Sequence, residues 1–285
     1  MINSIKKLFV ISRPISWLNT AYPFAAGYII SGGTLDLTFL IGTLYFLGPY
    51  NLLMYGVNDV FDYESDIRNP RKGGIEGAVT AKAFHPTILR AAALTNIPFL
   101  IALLMLGTPL SAATLLVVTF FVIAYSIAKL RFKERPFLDS LTSSIHFVGP
   151  LVFALALTGT IAEGTVIIIS FLLWGMASHA FGAVQDIIPD RAGGLSSIAT
   201  VLGARSTVLL SLGLYTASIV TLALQGPYEA IVAAAGCVYI FNLLPYVGVT
   251  DRTSETTRPG WRRFIWLNFF VGFVVTMTLI ADQIL

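Results

Sequence analysis

Two short acidic runs interrupt an otherwise apolar chain, and their spacing is suited to cation chemistry. The first is Asn58-Asp59-Val60-Phe61-Asp62-Tyr63-Glu64-Ser65-Asp66, with Asp59, Asp62 and Asp66 at i, i+3 and i+7, one face of a helix. The second is Gln185-Asp186-Ile187-Ile188-Pro189-Asp190, whose carboxylates lie a helical turn apart, with Pro189 able to end the helix inside the run. An aspartate in a membrane helix costs about 2.5 to 3.5 kcal/mol, so grouped carboxylates call for neutralisation. Hard oxygen donors suit magnesium or calcium. Magnesium usually keeps waters and takes a few carboxylates together with substrate phosphates, so two open clusters point to a diphosphate as the missing ligand.

Cations adjoin both runs: Arg68, Arg71 and Lys72 after the first, Arg191 after the second, and Lys129 and Arg131 at the end of another apolar segment. They can complete an anion site. Tyr125, four residues before Lys129, is expected on the same helical face, where its hydroxyl reaches a phosphate, its ring lines a pocket, or it simply packs. The plainer alternative for all these charges is a set of solvated loop residues obeying membrane topology. His146 and His179 sit in apolar runs without ligand spacing and read as packing residues, and Cys237, the only cysteine, as a packed thiol without a disulfide. The 20 Phe and 11 Tyr could stabilise a carbocation, but composition singles out none of them.

The elements that must position these residues are membrane helices. Of 285 residues, 56% are hydrophobic and 12% charged, and the mean hydropathy is +0.80. Segments near the roughly 20 residues needed for a ~30 Å hydrocarbon core recur at Ile15–Ile30, Leu37–Val57, Ile88–Leu106, Ala112–Ala128, Leu138–Leu157, Val166–Gly182, Val208–Leu224, Ala230–Val247 and Ile265–Ile284. The expectation is all-α and multi-pass, with about nine transmembrane helices. Pro14, Trp17, Asn19 and Pro23 interrupt the first, which is expected to be retained as a span rather than cleaved as a signal.

With the N-terminus in the cytoplasm, all 18 Lys and Arg residues fall on inner segments, and the outer links such as Ser31–Asp36 and Gln225–Glu229 hold none. Both aspartate runs are then cytoplasmic, and a nucleic-acid partner is not expected. Arg13-Pro14 and Arg135-Pro136 open two helices that are each followed, about fifty residues on, by an acidic run. This implies one domain over 1–285: parallel four-helix repeats at about 10–130 and 132–248, plus a last helix at about 264–284, with the two runs at one mouth.

The run NDVFDYESD resembles the N-D-x-x-D-x-x-x-D signature of the UbiA-type intramembrane prenyltransferases; QDIIPD is similar to their second motif and YSIAK to their Tyr and Lys motif. The longer stretches SRPISWLNTAYPF, RFKERPFLDSLTSS and GAVQDIIPDRAGGLSSIATVLGAR resemble the lycopene elongases of bacterial carotenoid pathways. The resemblance implies a nine-helix bundle around a central cavity, with Asn58, Asp59, Asp62 and Asp66 in one Mg2+ motif and Asp186 and Asp190 in the other. It also implies dimethylallyl diphosphate as donor and lycopene as acceptor. A related enzyme with an aromatic or quinone-precursor acceptor, and a transporter, remain the competing readings. A transporter would place its charges nearer the bilayer midplane.

Overall fold

The computed structural model describes residues 2–67 and 80–284, and among these every regular element is a helix. Among these residues eight helical spans are long and apolar enough to cross a membrane, with Leu37–Phe61 counted as one span. The expected ninth, over Ile15–Ile30, is instead α2 (Leu18–Ile30), 13 residues long and preceded by a separate helix α1 (Ile2–Ile11). The separation falls at Ser12–Trp17, where Arg13 takes a left-handed backbone (φ 51°) and Pro14 opens a short 3-10 turn.

The described residues form two compact units. The first draws on Met1–Phe132 and Ile145–Glu163, the second on Lys133–Ser144 and Gly164–Leu285. The first unit holds α1, α2, α3 (Leu37–Leu47), α4 (Pro49–Phe61), α5 (Tyr63–Asp66), α6 (His85–Leu106), α7 (Pro109–Ser126) and most of α8 (Leu138–Thr158). The expected helix Leu37–Val57 is broken at Gly48-Pro49, because proline has no N–H to continue the ladder. The Asn51 amide bridges the break, donating to the carbonyls of Phe46 (2.8 Å) and Leu47 (3.2 Å) and to Thr20 Oγ1 (2.7 Å). Below it Phe24, Tyr45, Phe46, Tyr50 and Phe153 pack ring against ring; such pairs contribute about 0.5–1.5 kcal/mol each beyond burial.

The second unit holds the first turns of α8, then α9 (Thr165–Val184), α10 (Ile187–Ala192), α11 (Ile198–Leu202), α12 (Ala204–Ala223), α13 (Pro227–Leu243) and α14 (Arg258–Ile284). In lipid, apolar surface gives helices little reason to associate, and small residues with interhelical hydrogen bonds supply it. Ser170 on α9 and Ser218 on α12 each donate to the other's carbonyl at 2.8 Å, and Ser178 meets the Tyr215 hydroxyl at 2.9 Å. Gly175 lets Ser144 of α8 approach α9, where its hydroxyl donates to the Leu172 carbonyl.

Candidate functional site

The first acidic run lies at the C-terminal end of α4, where Asp62 caps the helix and α5 resumes it. The Asp62 N–H donates to the Asn58 carbonyl (2.9 Å) and the Asp66 N–H to the Asp62 carbonyl (2.8 Å), so the helical path continues through the motif. Asp59, Asp62 and Asp66 are all buried. A helix C-terminus carries about half a negative charge, which adds to the carboxylates in favouring cations.

Two arginines supply part of that compensation. Arg13 donates to Asp59 Oδ1 at 2.8 Å, with the carboxylate side chain only 1% exposed, and its guanidinium lies 4.2 Å from the Tyr55 ring centroid. Arg131 approaches Asp62 Oδ1 at 3.7 Å and donates to the Phe61 carbonyl at 3.3 Å. Both have positive φ, 51° and 41°, an uncommon state for residues other than glycine that clusters at functional sites. Sequence reasoning used Arg13 only for topology and repeat symmetry. Its partner lies 46 residues away, a separation with no local signature.

Asn58 accepts a hydrogen bond from Ser126 Oγ at 3.3 Å, joining the motif to the end of α7. That end corrects the expected shared face of Tyr125 and Lys129. The helix stops at Ser126, Ile127 turns extended (ψ 136°), and Lys129 sits exposed on the following turn. Tyr125 packs edge-on against His146 at 5.0 Å. His146 is itself a packing residue, near the Phe121 carbonyl (3.4 Å) and accepting from Tyr50 through its own carbonyl (2.9 Å). Arg68, Arg71 and Lys72 lie outside the described residues.

In the second unit, α9 ends at Val184 and Asp186 is the N-cap residue of α10, with Pro189 inside that short helix and Asp190 in its first turn. The break sits within the second motif, where the proline was expected to put it. Arg191 is held by this unit: Nη1 donates to Asp251 Oδ2 (2.6 Å) and Nη2 to the Thr200 carbonyl (2.7 Å), while Asp251 Oδ1 accepts from the Ala204 N–H (2.6 Å). Asp139, fully buried in the first turn of α8, accepts from the Ile198 N–H and the Ser140 N–H, each at 2.7 Å. The neighbouring Ser140 hydroxyl meets His179 Nδ1 at 3.1 Å. These contacts fasten the Asp186–Ala204 segment from both sides. A carboxylate at the start of an expected membrane helix was the signal that could have singled out Asp139.

The donor set suits magnesium. Among the described residues no three His, Cys, Asp or Glu side chains gather closely enough to cage a metal alone. Asp62 and Asp66, buried and a helical turn apart, match an ion that takes one or two carboxylates and completes its shell with water and phosphate oxygens.

Comparison with known proteins identifies the family. Residues 20–279 match the UbiA prenyltransferase family. A lycopene elongase/hydratase of Corynebacterium glutamicum is 50% identical over 284 residues, 99% of each chain. The C(50) beta-cyclic carotenoids biosynthesis protein LbtBC of Dietzia sp. is 51% identical over 276 residues, 96% of this chain and 64% of that longer protein. A UbiA homologue from Archaeoglobus fulgidus, solved bound to DMAPP and Mg2+, shares the fold with a TM-score of 0.67 at 18% identity, covering 94% of this chain and 99% of its own. An apolar helical chain that matches this family over residues 20–279 belongs to the UbiA prenyltransferases, as a membrane prenyltransferase resembling the lycopene elongases.

Proposed function

We propose that this enzyme transfers the prenyl group of dimethylallyl diphosphate to lycopene, elongating it toward C(50) carotenoids. The observation that carries the reading is the row of buried carboxylates at the end of α4, with Arg13 and Arg131 on it, in a chain half identical to a lycopene elongase/hydratase along its length. Asn58, Asp59, Asp62 and Asp66 would hold magnesium in one motif, Asp186 and Asp190 in the other. Bound there, magnesium would neutralise the diphosphate oxygens and make the diphosphate a better leaving group. Arg131 and Lys129, with Arg68, Arg71, Lys72 and Arg191, would add cations for the departing anion, which is electrostatic stabilisation of developing charge. Tyr125 would flank the diphosphate end of the donor.

In the reaction the allylic C–O bond breaks and its electron pair leaves with diphosphate. The terminal double bond of lycopene donates its π electrons to the allylic carbon, forming the new C–C bond and moving the positive charge onto the acceptor. The charge is discharged by loss of a proton or by addition of water. Buried surroundings protect the first cation from capture as a simple alcohol. Both motifs and the N-terminus face the cytoplasm, a reading that rests on the complete sorting of Lys and Arg.

The test is chromatography and mass spectrometry of carotenoids from lycopene-producing cells that express the chain, with Asp62→Ala and Asp186→Ala at matched membrane levels. Prenylated carotenoids with the native chain and none with either variant are expected. A product heavier by one water identifies hydration. Unchanged lycopene with well-inserted protein overturns the acceptor assignment and leaves a phenolic acceptor as the next to assay.

A further inference from the structure

Helix α1 carries a pattern that the prenyl-transfer site does not use. Its core-facing residues are Leu8, packed on the first unit's core, and the fully buried Ile11. At 3.6 residues per turn the rest of the helix divides in two. One flank is apolar, with Ile5 61% and Phe9 52% exposed and Trp17 edge-on to Phe9 at 5.2 Å. The other carries the exposed Asn3, Lys6 and Lys7 with the half-exposed Val10 among them, and no acidic residue occurs before Asp36.

The position of α1 is set by three contacts. Ile11 lies beside Gly56 of α4, Arg13 just beyond the helix pairs with Asp59 at the end of α4, and Lys7 Nζ lies 5.3 Å from the ring centroid of Phe84, which precedes α6. α1 therefore lies where α4 ends and α6 begins. A short helix at the ends of two membrane spans, apolar on one exposed flank and basic on the other, is the form taken by helices that lie in a bilayer interface.

We propose that α1 is an interfacial helix whose Ile5–Phe9 flank enters the acyl boundary while Lys6 and Lys7 engage the phosphates of anionic lipid headgroups. Charge selects the occupant: lysines at an anionic leaflet strengthen attachment about fivefold each, and a zwitterionic surface offers them much less. Trp17 and Phe9, an aromatic pair at the edge of that flank, suit the headgroup level.

The experiment uses the full chain with Cys237→Ala and Ile5→Cys, a nitroxide on the new thiol, reconstituted in phosphatidylcholine with or without phosphatidylglycerol. Depth is read from oxygen against nickel-chelate accessibility. Phosphatidylglycerol should move the label toward the acyl region; Lys6→Gln with Lys7→Gln should abolish the shift, and Lys6→Arg with Lys7→Arg should keep it. Equal depth in both bilayers, whether immersed or aqueous, overturns the proposal, as does a shift that survives the glutamine pair. Inorganic phosphate added to phosphatidylcholine bilayers should leave the label in place; movement there would assign the lysines to free phosphate instead.

Discussion

Replacing Asp139 by asparagine changes one atom of a fully buried side chain and should loosen a segment of the second aspartate motif's surroundings some sixty residues later in sequence. The carboxylate accepts the Ile198 N–H and the Ser140 N–H, both at 2.7 Å. Hydrogen bonds to a charged acceptor contribute about 1.5–3 kcal/mol each, and a buried N–H left without a partner costs about 1–3 kcal/mol. Asparagine keeps one acceptor oxygen and turns its amide, a donor, toward the other N–H. One bond is lost, so Asp139→Asn should destabilise the start of α11 by about 1.5–3 kcal/mol, and Asp139→Ala, which loses both, by about 3–5 kcal/mol. Because each 1.4 kcal/mol is tenfold in an equilibrium constant, local opening of residues 198–202 should rise roughly 10- to 150-fold in the asparagine variant. Amide hydrogen exchange of the purified enzyme in detergent reads this directly, since local opening controls exchange in weakly held segments. Amides of α6 and α7, in the other unit, should exchange as before. Unchanged exchange at 198–202 would refute the reasoning, and a uniform acceleration over all helices would show that Asp139 supports the whole fold rather than this segment.

Other perturbations test other parts of the structure. A Cβ at Gly42 would collide with the ring of Phe24, which is fully buried, so Gly42→Ala should cost about 1–3 kcal/mol; its thermal midpoint should fall and be partly restored by adding Phe24→Leu. Arg191 and Asp251 are both partly exposed, so a double-mutant cycle of Arg191→Ala and Asp251→Asn should give a coupling of only about 0.2–1 kcal/mol. If Arg191 instead acts on diphosphate, its loss will raise KM for the donor while that of Asp251 will not. Asp36 caps α3 by accepting the Phe39 N–H, which holds its carboxyl below the usual carboxylate range, helped by the Tyr28 and Thr34 hydroxyls. A lowered folded value means the stabilisation is full above the unfolded carboxylate pKa of about 3.9 and is lost as pH falls through the folded value. Thermal midpoints measured downward from neutral pH should therefore drop more steeply for the native chain than for Asp36→Asn.

The amino-acid order by itself determined the membrane class, most of the spanning segments, both carboxylate runs and the family, because each rests on local information. Hydropathy over twenty residues needs no tertiary partner, and the spacing of Asp59, Asp62 and Asp66 carries its own helical geometry. Even the break inside the second motif was legible, since Pro189 acts on its immediate neighbours. The Gly48-Pro49 break was equally local, but the hydropathy of the surrounding run masked it. Tertiary structure decided what depends on distant groups or on backbone conformation. The stop of α7 before Lys129 removed a shared face that spacing had implied, and a left-handed turn at Arg13 separated α1 from α2. The pairings of Arg13 with Asp59, Arg191 with Asp251 and Asp139 with Ile198 join residues 46, 60 and 59 positions apart. A charged side chain is read in sequence only as a charge; whether it meets substrate, an ion partner or a helix end depends on which remote backbone folding brings within hydrogen-bond reach.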